Sequence, residues 1–182
     1  APLPSLVGPH QLQNSGLAIV ALAELGEDRI TKKAVNAGMK TVHWPARMQI
    51  LTRGPLYDAI PPDWELWLDG GHNPAAGLVL ASTIETFDPG PIHLIVGFIK
   101  TKNPSTFFAP LQKHVKSLSA VRIPDTESSY SANEIFSIAK NMGFETDIAH
   151  SVNHAVSKIV LKASFFSFSQ LSSDNSIFKF FL

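Results

Sequence analysis

From Met48 to Lys162 the chain alternates short apolar runs with amphipathic stretches at intervals of roughly 20 to 30 residues, and that rhythm restricts the fold more than any other feature. The apolar runs Met48–Thr52, Glu65–Leu68, Ile92–Val96, Ala120–Ile123 and Phe144–Ile148 read as strands. Between and after them, Pro74–Phe87, Pro104–Lys116, Ala132–Met142 and Val152–Lys162 read as helices. Repeated strand–helix units with right-handed crossovers build an α/β fold: a Rossmann-like, mostly parallel sheet flanked by helices. Ligands of such sheets bind at the carboxyl ends of the strands.

The segment before this domain has a different grammar. Gly8-Pro9 holds off regular structure, after which Gln11–Leu25 carries Leu12, Leu17, Ala18, Ala21, Leu22 and Leu25 near helical spacing, with Gly26 as its stop. A second helix is expected at Thr31–Ala37, with Thr31 as cap and Gly38 as stop. Trp44-Pro45 then breaks the chain, so residues 1–42 form a helical pair and 43–163 the sheet domain. Residues 164–182 depart from both patterns: six of the twelve phenylalanines fall there, among serines and without glycine or proline. Two readings stand, an unusual terminal strand with a tail, or an ending replaced by truncation or a changed frame.

Length and composition bound the function. At roughly 150 residues per domain, 182 residues make one domain plus a partial second element. A 45% hydrophobic content supports a core, and fifteen basic against fifteen acidic residues leave no net field to gather polyanions, so neither nucleic acid nor a membrane is expected as partner. The absence of cysteine excludes thiolate metal sites and fits a reducing, cytoplasmic setting. No apolar run reaches the length of a membrane span, and Ala1–Gly8 lacks the features of a signal peptide. The missing initiator methionine hints at a chain that began earlier.

Leu68-Asp69-Gly70-Gly71-His72-Asn73-Pro74 is the most informative run. A strand ends in a carboxylate, passes two glycines and opens a helix capped by Asn73 with Pro74 at its first position, which aims free backbone donors at a ligand above the sheet. Asp69 could meet a ribose or a magnesium-bound water, and His72 a phosphate or carboxylate; equally, Asp69 could satisfy loop amides. Arg47, at the junction of the two modules, is either a surface residue or a phosphate clamp. His10, Gln11 and Asn14 cluster on the first turn of the first helix, for capping or for ligand contact. His150 and His154 have the spacing of a metal pair but lack a third ligand. No serine elbow, lysine-bearing phosphate loop or dinucleotide fingerprint is present.

The order of LPSLVGPHQLQN, WPARMQ, ELWLDGGHNP and VGFIKTKN resembles the C-terminal portion of bifunctional folylpolyglutamate synthase and dihydrofolate synthase, members of the Mur ligase superfamily. The resemblance covers roughly Ala1–Lys162. It implies an ATP-dependent ligase that phosphorylates the carboxyl of dihydropteroate or folate and joins L-glutamate to it through the acyl phosphate, working as a monomer. Residues 1–42 would be the last helices of the central ATPase domain and 43–163 the closing Rossmann-like domain. Asn14, Arg47 and Asp69 would contact ATP, with His72 and Lys102 reaching phosphates or the incoming glutamate. Asn103 stands where the family has an acid, and Ala46 where glycine is usual. The phosphate loop, the Mg2+ ligands and the folate-gripping loop would lie upstream of residue 1, so no complete catalytic set is expected here. A non-catalytic nucleotide-binding remnant and another Mur-type ligase are the alternatives. The tail implies the loss of one central strand.

Overall fold

The structure, a computed structural model, describes residues 1–87, 90–169 and 179–181, apart from the side chains of 165–169 and 179–181. Two helices lead: α1 (His10–Glu24) and α2 (Lys32–Thr41). The sheet domain follows as β1 (Gln49–Leu51), β2 (Glu65–Leu68), α3 (Pro74–Ile84), β3 (Ile92–Val96), α4 (Pro104–Phe108), β4 (Ser117–Ala120), α5 (Ala132–Asn141), β5 (Thr146–Ile148), α6 (Val152–Ser169) and β6 (Lys179–Phe181). The strands form one sheet in the order β1-β2-β6-β3-β4-β5, parallel except for β1, which pairs antiparallel with β2 at the edge. This is the expected α/β architecture.

Side chains alternate across the sheet and divide the core in two, as the pleat requires. Trp67, Leu94 and Val96 face α3, α4 and α5 with Leu80, Phe108 and Ile135. Leu66 and Ile95 face α6 with Ala155, Val156 and Ile159. Helix α6 is also tied down by charge. Lys158 Nζ lies 2.9 Å from Asp147 Oδ2, and Ser119 Oγ donates to Asp147 Oδ1 at 2.8 Å. Burial alone would raise the Asp147 carboxyl, but the hydrogen bonds from Lys158 and Ser119 outweigh it and hold the group below its ordinary range.

Several elements differ from their sequence expectation. The fourth strand lies at Ser117–Ala120 rather than Ala120–Ile123. Ser117 Oγ pairs with His93 Nδ1 at 2.7 Å and Ser119 with Asp147, so two serines outside the expected strand belong to it. Helix α4 stops at Phe108, followed by a 3-10 turn at Ala109–Leu111, instead of running to Lys116, because Pro110 has no N–H to continue the ladder. Helix α2 passes through Gly38 and ends at Thr41, although Thr31 caps it as read, accepting from Ala34 N–H at 3.2 Å. The last helix runs on past Ala163 to Ser169. The loss of a central strand expected from the tail is not found: the backbone of β6 sits between β2 and β3. Residues 170–178 and 182, the rest of the Phe/Ser-rich tail, lie outside the described residues.

Candidate functional site

Strand β2 ends at Leu68 on the carboxyl edge of the parallel strands, so the turn Asp69–His72 emerges where the fold class binds ligands. Asn73 caps α3 by accepting from Ala76 N–H at 2.9 Å, and Pro74 takes the first helical position. The antiparallel register of β1 against β2 sets Gln49 opposite Leu68, which brings the segment before β1 alongside this turn. Gly70 N–H donates to Ala46 C=O at 2.9 Å.

Asp69 is anchored at both oxygens. Oδ2 accepts from Met48 N–H at 2.9 Å and Oδ1 from Gly71 N–H at 2.7 Å. A Cβ on Gly71 would stand 2.7 Å from Asp69 Oδ1, so glycine is what lets the carboxylate close onto that amide. The loop-amide role weighed for Asp69 from sequence is therefore real, and two of its roughly four lone-pair sites stay available to a ligand. Across the junction, Ala46 and Met48 both adopt left-handed backbone, with φ of 54° and 45°, on either side of Arg47. Ala46 N–H is held by Gln49 Oε1 at 3.0 Å. Met48 is 4% exposed in the core, whereas Arg47 is exposed.

The helical pair completes a cleft. Asn14, Arg47 and Asp69, from three separate segments, line one cavity of about 1020 Å³ between α1, α2 and the start of α3. Asn14 Nδ2 donates to Gln11 Oε1 at 3.2 Å, and Gln11 Nε2 donates to His10 Nε2 at 2.8 Å, which leaves the Asn14 carbonyl oxygen available. Burial lowers the His10 pKa, with Arg47 acting in the same direction and Asp69 opposing, so the ring is kept neutral and able to accept from Gln11. Around these polar groups the walls are apolar, including Ile19, Leu22, Val35 and Met39.

The other candidates are placed differently. His72 lines a second, smaller cavity of about 260 Å³ with Gly97, Phe98 and Ile99, and Asp69 borders both. His72 Nδ1 donates to Gly70 C=O at 2.8 Å, so a neutral ring offers Nε2 only as an acceptor, and donating to a phosphate would require the imidazolium. Lys102 lines neither cavity; its N–H donates to Ile99 C=O within a turn. Asn103 caps α4, accepting from Ser105 N–H at 3.0 Å. Among the described residues, no group of three His, Cys, Asp or Glu could hold a metal ion, and Asp69 is the only carboxylate lining the larger cavity. Among the described residues the larger cavity thus offers a Mg2+ ion one carboxylate, and both oxygens of that carboxylate already accept from backbone amides. His150 and His154 stack at 5.0 Å, with His150 N–H donating to His154 Nδ1 at 3.2 Å. A neutral His154 then carries its proton on Nε2, without a lone pair for a metal. No helix among the described residues is long and apolar enough to cross a membrane.

Gln49 is the participant that sequence reasoning missed. The available signal was an amide side chain two residues after Arg47, within the expected strand Met48–Thr52.

No family model matches the chain. It is similar to a probable bifunctional folylpolyglutamate synthase/dihydropteroate synthase of Haloferax volcanii, with 32% identity over 98 residues, 54% of this chain and 10% of that protein. A protein of the same description from Halobacterium salinarum is 26% identical over 87% of this chain and 18% of its own length. The dihydrofolate synthase/folylpolyglutamate synthase of Bacillus subtilis is 28% identical over 64% of this chain and 24% of its own length. The chain thus spans between about a tenth and a quarter of these relatives. In fold it matches Mycobacterium tuberculosis folylpolyglutamate synthase complexed with ADP and AMPPCP, at a TM-score of 0.77 and 19% identity over 98% of this chain and 38% of that one. Escherichia coli FolC in complex with DHPP and ADP matches at a TM-score of 0.68 and 16% identity, over 99% of this chain and 37% of that one. In sequence and in fold, the chain resembles the folylpolyglutamate synthase/dihydrofolate synthase enzymes.

Proposed function

We propose that this chain is the C-terminal portion of an ATP-dependent ligase of the Mur type that joins L-glutamate to dihydropteroate or folate through an acyl phosphate. Residues 1–42 belong, on this reading, to the central ATPase domain and the sheet domain closes over it. The observation that carries the reading is the convergence of Asn14, Arg47 and Asp69 on one cleft at the carboxyl edge of the sheet. On this reading Asn14 contacts ATP, Asp69 accepts from its ribose, and the Arg47 guanidinium reaches its phosphates, where charge develops as the acyl phosphate forms and collapses. His72, in the turn after Asp69, serves the phosphates or the glutamate as the imidazolium, and Lys102, in the loop after β3, serves the same groups through its ammonium. Mg2+ would neutralise phosphate charge in the intact enzyme, held by residues outside this chain. The enzyme works in the cytoplasm as a monomer.

The reading makes two experimental demands. With folate or dihydropteroate, glutamate and ATP, the 182-residue chain releases no ADP; release strictly dependent on both other substrates would overturn the fragment reading. A nuclear magnetic resonance titration with ATP to millimolar concentration shifts the amides of Asn14, Arg47 and Asp69–Asn73, and Arg47→Ala weakens binding by about tenfold or more, as removal of a charged hydrogen-bond donor worth roughly 1.5–3 kcal/mol implies. Absence of those shifts removes the cleft as the nucleotide site.

A further inference from the structure

The segment Ala46-Arg47-Met48 has an unusual design. Both neighbours of an exposed arginine are non-glycine residues in the left-handed region, where a Cβ crowds the backbone, and such conformations persist only where the surroundings over-determine them. Here three hydrogen bonds do so. Gln49 Oε1 holds Ala46 N–H, Gly70 N–H holds Ala46 C=O, and Asp69 Oδ2 holds Met48 N–H. Two of the three come from side chains, and the buried Met48 side chain fixes the turn from below. The Arg47 side chain itself makes no hydrogen bond or ion pair among the described residues, so the backbone that carries it is what holds it at the cleft.

We propose that Gln49 and Asp69 are positioning residues for Arg47: together they lock the left-handed turn that projects the guanidinium into the cleft. Asp69 also binds Gly71 N–H through its other oxygen, so the same carboxylate couples the arginine to the turn before α3. A displacement of either loop is transmitted to the other through one side chain. Gln49 needs only an acceptor oxygen at Oε1, which glutamate would also supply and methionine, of similar length, would not. That the positioned arginine serves ATP rests on the function proposed above; that Gln49 positions it does not.

The test uses the full 182-residue chain, isotopically labelled, with the variants Gln49→Glu and Gln49→Met and ATP as the probe. One-bond Cα–Hα couplings at Ala46 and Met48, which separate positive from negative φ, report the turn, and amide exchange in β3 and β4 reports the fold. Gln49→Met is expected to move both couplings toward negative-φ values, to speed Met48 amide exchange at least tenfold and to weaken ATP at least tenfold, with β3 and β4 unchanged. Gln49→Glu restores all three readouts. Wild-type couplings and exchange in Gln49→Met, or loss of β3 and β4 protection alongside them, would overturn the proposal. So would unchanged ATP affinity in Gln49→Met where the wild type binds. Should the wild type show no ATP binding, the nucleotide reading falls and the couplings still decide the role of Gln49.

Discussion

His93 lies on the α6 face of β3, 7% exposed, with Nδ1 against Ser117 Oγ. Burial, followed by the charges of Lys116 and Lys162, pushes its pKa down from 6.5 to about 4. The unfolded chain therefore takes up this proton first as the solution is acidified. Stability from keeping the ring neutral is complete above about pH 6.5 and is lost as pH falls toward 4. At about 1.36 kcal/mol per unit, we expect urea unfolding to show a loss on the order of 2–3 kcal/mol between pH 7 and 4.5, largely absent in His93→Gln. Asp147, whose carboxyl is already held low, loses its contribution only at still lower pH, so the two groups separate along the pH axis. The candidate site residues were legible in the sequence because chemistry announces itself by residue type: a guanidinium at a module boundary, and a carboxylate before two glycines. Their partners were not. Asp69 meets Met48 N–H only because β1 pairs with β2 in the register that sets Gln49 against Leu68, a long-range fact that no local pattern contains.

At the level of elements, Gly77 sets the distance between α3 and α4. A Cβ there would come within 2.4 Å of Phe107 C=O and 3.1 Å of Pro110 Cγ, and the nearer atom is backbone that cannot swing away. We expect Gly77→Ala to destabilise the fold by about 1–3 kcal/mol through forced separation of the two helices, offset only in part by its better helix propensity. Chemical denaturation measures the change. Ser131 and Glu134 form a reciprocal capping box at the start of α5, with Ser131 N–H donating to Glu134 Oε2 at 2.7 Å and Glu134 N–H to Ser131 Oγ at 3.3 Å. Ser131→Ala is expected to cost about 1 kcal/mol by the same assay. Elements with such signals were read correctly: Asn73-Pro74 opens α3, α5 begins at Ala132 as expected, and Gly26, with φ of 62°, follows the end of α1. Among those misread, the β4 serines are held by His93 and Asp147, 24 and 28 residues away, and α2 continues through the exposed Gly38 although glycine is a weak helix former.

On the scale of the whole molecule, α1 and its C-cap leave more large apolar side chains exposed than any other element among the described residues. Leu12, Leu17, Val20 and Leu25 are each more than half exposed, on a chain without net charge to keep copies apart. We expect Leu17→Gln combined with Leu25→Gln to reduce self-association and binding of a hydrophobic dye while leaving the unfolding midpoint within about 0.5 kcal/mol of wild type. Light scattering and dye fluorescence report the first effect, and denaturation the second. The strand order carries a consequence for synthesis. Residues 179–181 stand between β2 and β3, so a growing chain can assemble β1 with β2, and β3 with β4 and β5, but it cannot join the two halves through their shared neighbour until residues 179–181 have been translated. Until then each half presents a bare inner edge, open to chaperone capture and to mispairing with another chain.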